Sequence, residues 1–387
     1  MIPAVNPISM RDTSLTANSA RGVRANVATL VCACLAATLL ISNVSASPSP
    51  TPTPSATPRT DIVWGHCKTT LITNTVTPPT IQRELQDMWD DGGRCPRIDG
   101  DWTTAIDTAH QIGFTKMIII VGTGTPPVDP TDYANDAVAI ARAHPDAYIE
   151  LGNECNLNGF SAADYATIAK AAYQAIKAAG LPNVVLLGSV GNSLSTVGGY
   201  GMLDWCKQLV LNGCVQGQAF DWANYHIYAN PAAEEPWHHL WTPCSVGAPN
   251  CGPDDDGQSC QSVFGNPPFA ISEFGASLLK DCGGDETVQA QYINDWMVLF
   301  AAQPQFRLGT LYAMADEAPD GTGYGLRRLD LSHRPAWGAY YAQATAAPAP
   351  TPTPTPVPTA TPTPMPTPTP TPGPQMLPAP SNLRASS

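Results

Sequence analysis

The chain has 387 residues, 40 of them proline, with 19 lysines and arginines against 32 acidic residues. Half the prolines fall in two short segments, while the 286 residues from Asp61 to Ala346 carry 31 acidic and 14 basic side chains, a formal net charge of −17. A field of that sign repels nucleic-acid phosphates and anionic lipid, so binders of either are disfavoured, and a stretch this long with this many aromatic and β-branched residues is not a disordered chain.

Residues 1–46 combine a basic start (Arg11, Arg21, Arg24), an apolar run from Val27 to Ile41 and the small-residue stop Val44-Ser45-Ala46, the order of a secretory signal cleaved after Ala46. An uncleaved anchor helix is the alternative, because the run approaches spanning length. The expected compartment is therefore extracellular, with no membrane association after cleavage. Residues 47–60 and 347–377 are Thr-Pro segments that adopt extended polyproline II and act as spacers. Beyond the second, PAPSNLRASS (Pro378 to Ser387) resembles the opening strand of a fibronectin type III module. Ten residues cannot make seven strands, so a fragment of a longer multimodular protein is expected.

Between the spacers, short β-rich runs alternate with helical patterns, which predicts parallel strands joined by crossover helices. Strands are expected at Asp61–Trp64, Gly93–Ile98, Lys116–Gly122, Ala147–Gly152, Val184–Ser189, Trp222–Tyr228, Phe269–Glu273 and Arg307–Ala313. Helices are expected at Pro79–Asp90, Trp102–Ile112, Thr131–Ala143, Ala162–Ala179, Met202–Leu211, Thr287–Gln303 and Ala336–Gln343. Eight strands close a barrel, so residues 61–346 read as one α/β domain, a (β/α)8 TIM barrel, expected to be monomeric. No helix is evident after the sixth strand, where Ala229 to Asn266 forms a long, Cys-rich loop carrying Trp237 and Trp241.

Nine cysteines follow the signal, and export makes disulfides expected. Cys206 and Cys214 can close a small loop, and Cys67 with Cys95 would tie the first strand to the second and leave Cys155 free. Cys244, Cys251, Cys260 and Cys282 crowd a region that needs stapling, though spacing alone does not fix connectivity. No CxxC pair exists and His238-His239 lacks a ligand spacing to Cys244, so neither metal nor cofactor is expected. Asp254-Asp255-Asp256 reads as a solvated loop ahead of a calcium site.

In a β/α barrel the chemistry gathers where strands end. Strand four ends in Asn153-Glu154, strand seven in Glu273, strand two at Arg97 and strand six at His226 and Tyr228. Two carboxylates across one barrel mouth are what glycoside cleavage requires, one acid to protonate the leaving oxygen and one carboxylate on the opposite face of the sugar. Arg97 and Tyr228 are placed to keep the second carboxylate ionised. Taken singly, each residue has a plain alternative: Arg97 a structural ion pair, His226 a satisfied core histidine.

The strings IELGNECN (Ile149 to Asn156), FDWANYHIY (Phe220 to Tyr228) and PFAISEFGAS (Pro268 to Ser277) resemble the strand four, six and seven signatures of the clan A glycoside hydrolases, retaining (β/α)8 barrels, nearest to families 5 and 39. CPRIDGDW and YGLRRLDLSHRPAWGAYY add to the likeness, which runs from about Asp61 to Thr345. The resemblance implies Glu154 as acid/base, Glu273 as nucleophile and Asn153 as donor to the sugar 2-hydroxyl. It also implies Arg97 and Tyr228 as partners of the nucleophile and His226 as a sugar contact. Two departures stand out: Cys155 replaces the usual proline after the acid/base, and the usual tryptophan after strand eight is replaced around Met314. Trp237 or Trp241 is then the candidate sugar platform, against loop packing as the plain alternative. The resulting expectation is a secreted retaining hydrolase of a poly- or oligosaccharide, with a non-catalytic carbohydrate-binding barrel as the alternative.

Overall fold

A computed structural model of the chain describes residues 59, 61–67, 78–100, 102–124, 126–191, 201–228, 240–241, 257–316 and 323–346. The expected signal, both spacers and the module-like stub lie outside the described residues, as do Trp237, His238-His239, Cys244, Cys251 and the Asp254 to Asp256 run.

Strands and helices alternate in chain order: β1 Val63–Cys67, α1 Pro78–Asp90, β2 Arg97–Asp99, α2 Thr103–Ile112, β3 Ile118–Ile120, α3 Pro130–Ala143, β4 Tyr148–Leu151, α4 Ala162–Ala178 and β5 Val184–Leu187. Then follow β6 Val190–Gly191, α5 Met202–Leu211, β7 Ala223–Tyr228, α6 Cys260–Val263, β8 Phe269–Gly275, α7 Glu286–Ala301, β9 Phe306–Tyr312 and α8 Pro335–Ala344. Every strand pairing is parallel. The strands form two sheets, β1-β9-β8-β7-β6 and β2-β3-β4-β5. Single parallel bridges, His66 to Pro96 and Leu186 to Trp222, join the sheets at their edges.

Three expectations are corrected. The first strand begins later and runs on to Cys67, with Asp61 instead held by Arg59, whose guanidinium also donates to the Phe306 carbonyl at 2.9 Å. The expected fifth strand stops short at Leu187, because the Gly188 amide leaves the ladder to donate to the Tyr165 hydroxyl at 2.6 Å, and a separate short strand follows at Val190–Gly191. Only glycine fits at position 188, since a Cβ would stand 2.2 Å from the Leu151 carbonyl oxygen. The long loop after β7 also contains one helical turn, α6, closed by a capping box in which Ser259 and Ser262 serve each other's backbone N–H.

The cysteine pairings differ as well. Cys67, Cys95, Cys155, Cys206, Cys214, Cys260 and Cys282 are all present as free, buried thiols. Cys95 packs in the lower apolar layer with Ile118 and Tyr148, whereas Cys67 reaches the carboxylates at the strand ends. The hydrogen-bond partner of Cys206 is Cys260 at the start of α6, not Cys214.

The interior alternates as pleated strands require. A lower apolar layer is built by Cys95, Ile118, Tyr148, Leu186, Ala270 and Leu308, drawn from both sheets. Two residues beyond Cys95, Tyr148, Ala270 and Leu308 the side chains are polar and buried: Arg97, Glu150, Ser272 and Thr310. The helices cover the outer faces, with Trp205, Tyr165, Trp296 and Tyr340 fully buried against the strands.

Candidate active site

The polar layer and the strand ends above it carry the chemistry. Arg97, at the start of β2, is wholly buried and donates to four residues at once, among them the Cys67 sulfur at 3.6 Å. Its Nε and Nη2 donate to the two oxygens of Glu150 at 2.6 and 2.9 Å, its Nη1 to Glu273 Oε1 at 2.5 Å and its Nη2 also to Asn153 Oδ1 at 2.7 Å. Burial works against the charge of Arg97, but Glu150 and Glu273 outweigh it and push its pKa up. The arginine is therefore both the structural ion pair and the partner of Glu273.

Glu273 lies on β8 with its side chain 9% exposed. Besides Arg97 it accepts hydrogen bonds from the Tyr228 hydroxyl and, at 3.8 Å, from the Cys67 thiol. Burial, then the charge of Glu273, push both of those hydroxyl and thiol groups well up, so each is a proton donor to the carboxylate. Ser272 and Glu273 are neighbours that both face the interior, which an unbroken pleat forbids. A register shift between Ile271 and Phe274 against β9 turns the strand and allows it.

Glu154 follows β4 with a backbone φ of 45°, in the left-handed region that a non-glycine residue seldom occupies. Its N–H donates to Ser189 Oγ at 3.0 Å and its carbonyl accepts from Leu157 and Asn158, which fix the turn. Gly191 of β6 leaves room for the carboxyl, since a Cβ there would stand 3.0 Å from Glu154 Oε1. The side chain is 26% exposed, the more open of the two carboxylates. Burial pushes its pKa up, but the His226 ring and the Arg97 charge act the other way and leave it below the ordinary carboxylate value.

His226 joins the pair. Its Nδ1 lies 3.1 Å from Glu154 Oε1 and 3.4 Å from Glu273 Oε2, so those two oxygens are at most the sum of the two reaches, 6.5 Å, apart. Its Nε2 lies 3.0 Å from Ser272 Oγ, which in turn is 3.2 Å from Glu150 Oε1. The His226 side chain has no exposed surface, and its ring nitrogens face the carboxylates and Ser272. Asn153 turns its side-chain oxygen to Arg97 and so directs its NH2 elsewhere, the orientation a donor to substrate needs.

The two tryptophans do not join this group. Trp237 lies outside the described residues, and Trp241 packs against the core at the foot of β8, its ring centroid 6.2 Å from Phe269 and 6.0 Å from Phe300. Met314 is buried, and Asp316 is held by Arg334 and the Gly325 N–H, so neither lines the mouth. The aromatic surface beside Glu273 comes instead from Tyr312 and Tyr324, whose rings meet Tyr228 edge-on at 5.8 and 5.4 Å. Neither tyrosine was singled out from the sequence, nor were Glu150 and Ser272, because YIEL and FAISEFG carry no polar and apolar alternation that marks them.

No protein-family model and no curated protein matches the chain. Among solved structures it is similar to a monomeric β-xylosidase from Caulobacter crescentus CB15, with 17% identity over 75% of this chain and 69% of that one and a TM-score of 0.50. It is also similar to a family 39 glycoside hydrolase from Bacteroides cellulosilyticus WH2, with 15% identity, 74% and 64% of the two chains and a TM-score of 0.47. A β-glucuronidase from Bacteroides uniformis gives 13% identity and a TM-score of 0.48 over 73% of this chain, which spans only 34% of that longer protein. At these identities the likeness is one of fold.

Proposed function

We propose that the chain is a secreted glycoside hydrolase that cleaves O-glycosidic bonds of a β-linked poly- or oligosaccharide with retention of configuration, on a closed (β/α)8 barrel. The observation that carries this is the pair Glu154 and Glu273, both within 3.4 Å of one imidazole nitrogen. The limit of 6.5 Å on their facing oxygens takes in the close spacing, about 5 Å, of retaining enzymes and reaches only the lower edge of the wider gap in which an inverting enzyme holds its attacking water. The two edge bridges between the sheets support closure.

In the first step Glu273 attacks the anomeric carbon and forms a glycosyl ester. The bond to the leaving oxygen breaks with its electron pair, and that oxygen takes the Glu154 proton. In the second, Glu154 takes a proton from water, the water oxygen bonds to the anomeric carbon, and the ester bond breaks to return Glu273. Arg97 and Tyr228 stabilise the Glu273 carboxylate as attacking and leaving group, and Asn153 offers its NH2 to the sugar beside the bond. The N-terminal signal and Thr-Pro spacers support export and tethering to further modules.

Reducing-sugar release from xylan, mannan, galactan and β-glucan identifies the substrate, and proton NMR of the first product formed gives its anomer. Retained configuration is expected; inverted product, or no release from any of the four by the secreted chain, sinks the reading.

A further inference from the structure

An acid/base role for Glu154 requires that its carboxyl hold a proton until the leaving oxygen takes it. Starting from the deepest group of the network, we infer that Glu150 is a positioning residue for both glutamates: through Ser272 and His226 it stores the proton on Glu154, and through Arg97 it aims the donor at Glu273. This rests on the proposed hydrolase mechanism and deepens it.

Glu150 is fully buried and receives both arms of the Arg97 guanidinium, so it is a carboxylate that only accepts. Ser272 has one hydroxyl hydrogen and two neighbours, Glu150 Oε1 at 3.2 Å and His226 Nε2 at 3.0 Å. Facing an obligate acceptor, the hydroxyl gives its hydrogen to Glu150 and offers His226 only a lone pair. His226 therefore carries its proton on Nε2, and the neutral ring turns a bare Nδ1 toward Glu154 Oε1, 3.1 Å away. A bare nitrogen can only accept, so the contact is made when Glu154 is a carboxylic acid.

The His226 part of the downward pull on Glu154 belongs to a ring that bears a proton on Nδ1; with that nitrogen bare, the contact favours the carboxylic acid, against the remaining pull of the Arg97 charge. Arg97 is the one permanent cation here, shared by the Glu150 and Glu273 carboxylates, and Glu273 Oε2, 3.4 Å from Nδ1, is the neighbour that favours a proton on that nitrogen. Other groups that face the network are Cys67 from β1, Tyr228 from β7, Tyr133 from α3 and Cys155 after Glu154, and burial keeps each of them protonated. None of them contributes a second cation.

The test reads the tautomer directly and needs no substrate. In the full chain labelled with nitrogen-15 histidine, the His226 resonances are identified among seven histidines by their loss in His226→Gln. Wild type is expected to show a neutral ring protonated on Nε2 near pH 7. Glu150→Gln, whose amide can donate to Ser272, is expected to move the proton to Nδ1. That variant also strips Arg97 of an ion pair and is the one at risk of unfolding. Ser272→Ala leaves the Arg97 pair intact and removes only the relay.

In Ser272→Ala the Nε2 preference should disappear, and the alkaline limb of kcat/KM on the glycan turned over should fall by about one pH unit. A wild-type ring protonated on Nδ1 or on both nitrogens, or a ring and pH limb unmoved in Ser272→Ala, overturns the inference. Glu273→Gln run alongside separates the two levels. If it keeps full turnover, the hydrolase reading falls and this inference with it; if turnover is lost but Ser272→Ala changes nothing, only the relay fails.

Discussion

Tyr148 and Glu150 stand two residues apart on β4 and face the same interior, yet one closes an apolar layer and the other anchors an ion pair. The contrast repeats between Cys95 and Arg97, Ala270 and Ser272, and Leu308 and Thr310. The lower layer gains from every apolar surface it removes from water. The upper layer takes charges out of water and recovers the cost only while every partner is present. Stability and function are thus stacked along the same strands, and variants in the two layers should fail in different ways.

The largest effect belongs to the upper layer. Glu273→Gln should lower kcat by about three orders of magnitude or more, with the fold intact by circular dichroism, because the proposed attacking carboxylate is gone while its space is filled. Arg97→Met is different in kind, since it leaves Glu150 and Glu273 buried without their cation. Denaturant unfolding should show a loss of about 3–5 kcal/mol together with loss of turnover. In the lower layer, Leu186→Ala should cost about 2–5 kcal/mol by cavity formation and leave kcat/KM within about threefold at a temperature where the variant is folded. Equal loss of activity from both variants would break the distinction between the layers.

How much of this was legible in the sequence follows from the same contrast. The alternation of β-rich runs and helical patterns carried the strand and helix order, because each helix must bury an apolar stripe on the sheet and each strand is short and apolar. Glu154, Glu273, Arg97 and Tyr228 were legible from their strand-end positions and from the resemblance of their motifs. Glu150 and Ser272 were not singled out, since a polar residue inside a strand is meaningful only once its cross-sheet partner is known. The register shift that lets Ser272 and Glu273 face the same way leaves no local mark in ISEF. The Gly188 break was hidden because its cause, the Tyr165 hydroxyl, lies 23 residues away.

Outside both layers, His66 offers a milder test on the far face of β1. It is wholly buried, lies against Tyr340 with the rings tilted by 37° at a centroid distance of 4.4 Å, and has no hydrogen-bond partner for either ring nitrogen among the described residues. Burial lowers its pKa to about 4 from an ordinary 6.5, against a smaller upward pull from Asp91. A folded value below the unfolded one means that the native state resists protonation. Its contribution is complete above about pH 6.5 and is lost as pH falls toward 4, by about 3 kcal/mol over the whole interval. His66→Leu should flatten that part of the stability curve; an unchanged slope between pH 6.5 and 4 would place the sensitivity elsewhere.

The smallest effect is expected at Trp241, where packing and substrate binding make opposite forecasts. Its ring lies against Phe269 and Phe300, at the end of β8 away from Glu273, so Trp241→Phe keeps an aromatic in an aromatic cluster. That change should cost less than about 1.5 kcal/mol and leave KM unaltered. A sugar platform behaves the other way, with KM raised severalfold at unchanged thermal stability, because stacking on a pyranose face depends on the ring and not on the core behind it. Tyr324→Ala in the same assay gives the contrast. That ring stands beside Tyr228, within the group that holds Glu273, and its removal should raise KM while the Trp241 variant does not.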